Sequence, residues 1–536
     1  MGVGVDTITK TCRQCNQIFT ITASDQRFYE QLDVPAPTKC PQCRFQLRLS
    51  FRNERFLYQR DCALCHTLTL SQYSADKPYT IYCRTCWWSD RWDPLDYGQV
   101  IDWSQSFFPQ FAAVKLRTPR LALLNDAESV NSDYCHRVNR MKNCYMVYDA
   151  VDNEDCLYGS GMYGNKDSID CDYCDRVELC YDCSYCSDCY GLQQCRDCVN
   201  CRDSKYLVDC IGVSNSLMCV GLRNVQYHYK NKQLTQAEFE RVWKQLQPLA
   251  EFEQFALTIP RRFYNGVSND DSSGDHLVNT HAVQHSFQVR DSESCSYCYG
   301  VHHAKDSYDY TIWGDQAELM YETHACGGDT SRVMFGNVVW FGHNTTYCDH
   351  CLNGAMNCFG CVGLKNQQYC ILNKQYTPED YAQLMPRLIE HMSNTGEYGR
   401  FFPPELSDFS YNETMAQEFF PLTKEQALAG GWTWQNHLPG TYGKADPTKH
   451  IFACTQCQKN FKLVPAELAF YERQSIPLPG QCPDCRHYDR MRYRSPYRLW
   501  ERQCMNRGCM NHFQTAYSPE RKEIVYCEEC YKKEVY

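Results

Sequence analysis

"CYDCSYCSDC", residues 180–189, places a cysteine at every third position: Cys180, Cys183, Cys186 and Cys189. Each neighbouring pair has the spacing of a metal clip, so the run could grip metal, cycle a disulfide or simply pack. The period extends well beyond these ten residues. Cys135, Cys144, Cys156, Cys171, Cys174, Cys195, Cys198, Cys201, Cys210 and Cys219 all share its phase. The other occupants of that phase, such as Val138, Met141, Val147, Leu192 and Val213, are never charged or aromatic. Tyr145, Tyr148, Tyr158, Tyr173, Tyr181 and Tyr190 lie outside it, and Asp149, Asp155, Asp170, Asp182, Asp188, Asp197 and Asp209 sit one step before it.

A strict period of three excludes a helix, whose 3.6-residue repeat drifts out of phase within a few turns, and a simple strand needs period two. A coil of constant length, a multiple of three, satisfies it by stacking inward positions from turn to turn, which is a β-solenoid. Cysteine suits that narrow interior, being small, soft and commonly buried. The expectation is therefore a ladder of core thiols with the tyrosines pointing out. An internal thiolate–metal cluster and redox chemistry are the alternatives.

The stretch "CVGLRNVQYHYKNKQLT" (219–235) ends the periodic region and recurs as "CVGLKNQQYCILNKQYT" (361–377), each copy leading to a helix start at Thr235 or Thr377. Gln110-Phe111-Ala112 and Pro119-Arg120 are echoed by Gln254-Phe255-Ala256 and Pro260-Arg261. The whole unit of lead-in, solenoid and helix is thus duplicated with an offset of about 140 residues. In the second copy Cys295, Cys298, Cys326, Cys348, Cys351, Cys358, Cys361 and Cys370 lose the common phase, so its coils must carry insertions.

The termini repeat as well. Cys12, Cys15, Cys40 and Cys43, then Cys62, Cys65, Cys83 and Cys86, match Cys454, Cys457, Cys482 and Cys485, then Cys504, Cys509, Cys527 and Cys530. Only the Cys504–Cys509 knuckle differs, with four intervening residues instead of two. Two residues between paired cysteines let both sulfurs reach one ion from a tight turn, and Zn²⁺ accepts four thiolates tetrahedrally. The expectation is about four structural Zn²⁺ ions in closed all-cysteine sites. Thioredoxin-like pairs come singly beside a βαβ pattern, which is absent here.

The fold class that follows is mainly β: zinc ribbon pairs at both termini flank two duplicated Cys-rich β-solenoid units, each followed by a helix. The divisions are 1–100 and 451–536 for the double zinc modules, 101–250 and 251–395 for the duplicated units, and 396–450 for a connecting segment with one short helix from Thr423 to Gly430.

The combination "VPAPTKCPQCR", "RNERFLYQRDCALC", "YCRTCWWSDRWD", "YNETMAQEFFPLTKEQA" and "PERKEIVYCEECY" resembles a zinc-ribbon, Cys-rich protein family of candidate-phyla-radiation (Patescibacteria-like) bacteria. The resemblance runs nearly end to end. It implies a cytosolic bacterial protein and carries no activity with it.

Among 536 residues, 38 cysteines without a signal peptide favour metal over disulfides and a reducing cytoplasm. Asp6 breaks the myristoylation pattern, and no apolar run is long enough to span a bilayer. A net charge of −10 argues against a uniformly basic nucleic-acid binder. Positive charge is nevertheless concentrated in two aromatic-rich spacers, where Arg44, Arg48, Arg52 and Arg60 coincide in the duplication with Arg486, Arg490, Arg494 and Arg502. Guanidinium groups bridge phosphates and stack on bases, so RNA, DNA or a ribonucleoprotein is one expected partner. A helix face pairing with the acidic solenoid is the equal alternative.

No phosphate loop, dinucleotide fingerprint, nucleophile elbow or H-E-x-x-H motif is present. His66 and His350 stand beside cysteines, and "YGVHHAKDSYDY" (299–310) is the most polar cluster of the second unit. The functional expectation is a zinc-binding scaffold contacting nucleic acid through its Arg-rich modules. The alternatives are a protein-binding scaffold using the solenoid surface, or a thiol-based metal store or oxidoreductase.

Overall fold

The computed structural model describes residues 7–245 and 248–535. The N-terminal MGVGVD, including the Asp6 that breaks the acylation pattern, lies outside the described residues.

Strands from His136–Asn139 to His228–Tyr229 form one parallel sheet in which each residue pairs with the residue twelve further on: His136 with Tyr148, Tyr148 with Ser160, Ile169 with Tyr181, Lys205 with Leu217. Twelve residues make one coil. The three-residue period has a backbone cause. Every third residue adopts the left-handed conformation, so that one coil turns at Asp182, Tyr185, Asp188 and Gly191, with φ between 53° and 65°. Left-handed backbone costs an ordinary L-residue roughly 1–2 kcal/mol, and Gly, Asn and Asp bear it best. That is why aspartates crowd the step before each cysteine. The bend throws the next side chain inward, and the cysteines of the common phase form the buried core.

The interior is also satisfied where it is polar. Asn153 Oδ1 accepts from the Asn165 backbone N–H at 2.8 Å, and Asn165 Oδ1 accepts from Val177 at 2.9 Å. Each polar rung thus replaces a missing apolar contact with a hydrogen bond to the next coil.

The second solenoid runs from Gly266–Val267 to Gln367–Ile371 and explains its lost phase. Gly274 pairs with Ser286 at the twelve-residue spacing, but Tyr308 pairs with Tyr321, Ala317 with Thr330 and Gly342 with Ala355 at thirteen. Extra left-handed residues at Trp313–Gln316, Gly328–Asp329 and Asn353–Gly354 mark the insertions. Each shifts the inward phase by one, which moves the cysteines from Cys298 to Cys326, then to Cys348, then to Cys358. All remain buried.

Both solenoids end in a two-residue antiparallel hairpin, Lys232–Gln233 or Lys374–Gln375, that turns the last coil back on itself. Helices Gln236–Trp243 and Pro378–Asn394 follow, with Thr235 accepting from the Glu238 N–H and Thr377 from the Asp380 N–H. In the connecting segment Thr423 caps Lys424–Ala429 as expected. A second short helix, Met415–Phe419, was not foreseen; its Met415 N–H donates to the Arg52 carbonyl, so tertiary contact sustains it.

The tyrosines leave the solenoid core, yet several are covered by other elements. Tyr158 donates to Glu467 at 2.7 Å, and Tyr173 and Tyr185 pack between the two solenoids, against Tyr299 and Tyr497. Tyr190 is exposed.

Candidate metal centres and the arginine ladders

Four zinc modules share one local plan. A β-hairpin carries the first cysteine pair at its knuckle, and a helix N-terminus carries the second. In the first module the hairpin is Ile8–Thr11 with Ile18–Ile21, and Cys40 caps the helix Pro41–Leu49. In the second, Cys83 caps the helix Arg84–Trp87. In the third, Cys482 caps Pro483–Met491, and in the fourth Cys527 precedes Glu528–Val535. A helix N-terminus offers free N–H groups and a favourable dipole to a thiolate. Backbone N–H groups also point at the knuckle sulfurs: Cys40 N–H to Cys12 at 3.2 Å, Cys83 N–H to Cys62 at 3.2 Å and Cys527 N–H to Cys504 at 3.3 Å.

The sulfurs converge in the expected sets, and all four ligand atoms of each set lie within 4.8 Å of one another. Across the modules Cys15–Cys40, Cys65–Cys83, Cys457–Cys482 and Cys509–Cys527 are 3.7, 3.8, 3.7 and 3.9 Å apart. Two thiolates bound tetrahedrally at about 2.3 Å from zinc stand about 3.8 Å apart. The tetrads therefore fit Zn²⁺, including the fourth with its longer knuckle. Hydrogen bonds from Thr67 draw the Cys65 thiol down to about 6. At Cys454, burial is outweighed by N–H groups of Cys457, Cys482 and Gln456, and the thiol also falls to about 6. Residues 6–50 match the family described as a probable treble clef domain. The hairpin-knuckle and helix-N-terminus arrangement of that segment is the same finding made from geometry. No curated protein matches the chain.

His66 is exposed beyond its knuckle and joins no tetrad. His350 is buried, with Nδ1 2.6 Å from Asp349, and converges with Asp349 and Asp408 into a further ligand-like group. Lys115 and Arg120 already bind both carboxylates there, Lys115 at 2.8 and 3.2 Å and Arg120 at 3.4 and 3.2 Å. Two cations balance two anions, which makes this group a charge network and leaves no attraction for a metal ion. Nothing in the spacing of these five residues announced it.

Five of the eight paired spacer arginines lie inside the molecule. Arg44 and Arg48 project from the first module's helix onto the second solenoid, where Asp309 and Glu322 receive them at 2.7 to 3.6 Å. Arg486 and Arg490 project from the third module's helix onto the first solenoid and meet Asp170 and Asp172 at 2.7 to 3.1 Å, with Asp182 3.5 Å from Arg490. Arg52 binds Glu54 and Asp149, and Arg494 binds Glu418 while stacking on Phe419. Arg60 donates to the Ser74 and Tyr79 carbonyls, and Arg502 to the Ser518 carbonyl. The expectation that these groups face phosphate is corrected at the buried positions Arg44, Arg48, Arg52, Arg486 and Arg490, whose charges are spent on carboxylates of the same chain. The alternative of helix–solenoid pairing is realised, in a buried rather than a solvated form.

The two contacts are related by the duplication and crossed. Asp309 and Glu322 stand to Arg44 and Arg48 as Asp170 and Asp182 stand to Arg486 and Arg490, and all four acids occupy left-handed corners. The N-terminal module thus clasps the second solenoid, and the C-terminal module the first. The second and fourth modules add matching strand pairs: Ile81–Tyr82 with Arg120–Leu121, and Val525–Tyr526 with Arg261–Arg262.

The central cysteines are neither cross-linked nor gathered into ligand sets among the described residues. They stack in columns such as Cys171, Cys183 and Cys195. Many of the thiols lie within reach of two backbone carbonyls, as Cys183 does with Tyr181 at 3.3 Å and Leu192 at 3.7 Å. Burial pushes the Cys135 and Cys219 thiols up to about 12, whereas hydrogen bonds from neighbouring thiols pull Cys201 and Cys358 down to about 4, so what protects the column is its burial. The polar stretch 299–310 forms part of strand Tyr299–Glu318; Tyr299, Tyr308 and Tyr310 are buried in it, and its Asp309 is the arginine receptor.

Proposed function

We propose that this chain is a zinc-braced, protein-binding scaffold. The observation that carries the reading is the crossed pair of buried arginine–carboxylate ladders. They convert the two basic spacers from surface patches into internal clasps that hold two stiff solenoids in a fixed relation. Zinc, held by the four cysteine tetrads, would supply the local folding energy of modules too small to have a core of their own. What remains outside is a large, acidic, tyrosine-bearing solenoid surface, suited to proteins more than to polyanions. No helix among the described residues is long and apolar enough to cross a membrane.

The nucleic-acid reading is weakened, since five of its eight arginines are buried against carboxylates of the same chain. The metal-store reading would require ions to displace thiol–carbonyl contacts inside a closed core. The test is a mobility-shift assay of the zinc-loaded protein with single- and double-stranded RNA and DNA at low salt. No shift is the expected result. A shift whose log affinity falls with log salt at about 0.9 per phosphate contact on duplex DNA would overturn the proposal.

A further inference from the structure

The first and third modules are copies, but only the first is covered. After helix Ala23–Leu32 the chain turns through left-handed Asp33 into Val34-Pro35-Ala36-Pro37; after helix Pro465–Gln474 it turns through left-handed Ser475 into Ile476-Pro477-Leu478-Pro479. The turns carry the same bond, Val34 N–H to Tyr29 O at 3.0 Å and Ile476 N–H to Tyr471 O at 2.9 Å.

In the first module a strap, residues 396–404, lies over this ridge. Tyr398 donates to the Asp33 carbonyl at 3.3 Å. Gly399, at φ +80°, comes so close to Pro35 that a Cβ there would stand 2.2 Å from its ring. Val34, Tyr398, Phe401 and Phe402 share one buried cluster, and Arg400 and Glu30 line one cleft of about 570 Å³ beside them.

Among the described residues the third module has no such cover. Pro477 is exposed, as is its counterpart Pro35, but Leu478 is 53% exposed where Ala36 is half-buried, and Ile476 and Pro479 are half-buried where Val34 and Pro37 are buried. The reason lies in the duplication. The strap follows Pro378–Asn394, but helix Gln236–Trp243 leads to the next helix, Leu249–Ala256, across residues 244–248 only. The uncovered copy has nevertheless exchanged Ala36 for the larger Leu478. Glu472, like its counterpart Glu30, is in no ion pair among the described residues.

We propose that the ridge Ile476–Gly480 is a docking site for an extended segment of a partner protein. The segment has the chemistry of the strap: a tyrosine followed by glycine, a basic residue placed for Glu472, then aromatic residues and prolines. This rests on the protein-binding reading and names one surface that serves it. The covered copy supplies the template, and the exposed Leu478 in place of Ala36 supplies a larger apolar contact beside the acidic Glu472.

The probe is a fluorescein-labelled peptide of residues 395–404, TGEYGRFFPP, titrated onto the zinc-loaded full chain and read by anisotropy. The expected result is saturable binding, at least tenfold weaker for Leu478→Asp and for a peptide with its tyrosine replaced by alanine. Leu478 supports nothing beneath it, so zinc content and Tm of the variant should match wild type, separating loss of docking from loss of fold. A photo-crosslinker on the peptide should label residues 471–481. No saturable binding, equal binding to Leu478→Asp, or labelling confined to another surface would overturn the site. Because the nucleic-acid assay does not involve Leu478, failure here leaves the scaffold reading to be judged there.

Discussion

Arg490 Nε donates to Asp172 across 2.7 Å of space and 318 residues of chain. The same guanidinium is 3.1 Å from Asp170, and Arg48 repeats the arrangement in the other half with Asp309 and Glu322. Buried pairs gain little over apolar substitutes, but removing one partner leaves the other charged and unsolvated. These contacts therefore act mainly by specifying which module meets which solenoid.

Truncating Arg490 to Met should cost about 3–5 kcal/mol, because Asp172 loses its main counter-charge and Asp170 one of its two. Adding Asp170→Asn and Asp172→Asn should recover a large part of that loss. Urea denaturation of the three proteins checks this, and additive losses would contradict a shared network.

Glu418 gives the clasp a pH signature. Burial disfavours its charge, but His487 and Arg494 outweigh burial and hold the carboxyl down at about 2, below the ordinary 4.5. A lowered folded value means the stabilisation is complete above about pH 4.5 and is lost as pH falls toward about 2. The stability difference between wild type and Glu418→Gln should therefore be largest near neutrality and close on acidification. Zinc loss in acid affects both proteins alike and cancels in the difference.

Metal and thiol accessibility should divide the cysteines into two populations. Mass spectrometry of the native protein should give four zinc ions per chain. After chelation iodoacetamide should label the sixteen module cysteines, beginning with exposed Cys15, Cys65 and Cys457. The twenty-two solenoid cysteines should resist until the protein unfolds. Labelling of Cys183 or Cys198 in the folded state would contradict an inert core.

Cys183→Ser should destabilise by about 1–3 kcal/mol without loss of zinc, because a hydroxyl enters a column of thiols that offers it little beyond its local carbonyls. Thermal unfolding alongside metal quantification checks both halves of the statement.

Asn200 tests the left-handed corners apart from packing, since it is exposed and has φ +53°. Asn200→Gly should be close to neutral, whereas Asn200→Ile should cost about 1–2 kcal/mol. Equal effects would remove the backbone explanation of the triplet period.

The triplet phase of Cys135–Cys219 was legible because a side chain that must point inward at every corner leaves a strict numerical trace. The tetrads were legible because two-residue knuckles and duplicated spacings leave few pairings. The twelve-residue coil was not, since a period of three is compatible with any multiple. The destiny of Arg48 and Arg490 was not either. A helix face rich in arginine reads alike whether phosphates or carboxylates oppose it, and the deciding acids, Asp309 and Asp170, lie hundreds of residues away. Asp349, His350, Asp408, Lys115 and Arg120 meet only through tertiary folding, so no local pattern could gather them.

The crossed clasp also has a consequence in time. The first solenoid emerges from the ribosome with Asp172 awaiting a partner made 318 residues later. At about 5–20 residues per second, 318 residues take about 15–60 s. Throughout that interval the acidic corners stay hydrated and repel one another, which keeps a half-made solenoid soluble and discourages premature closure. Arrival of Arg486 and Arg490 then discharges that face in one step. A chain cut short before residue 486 would keep its first solenoid unlatched.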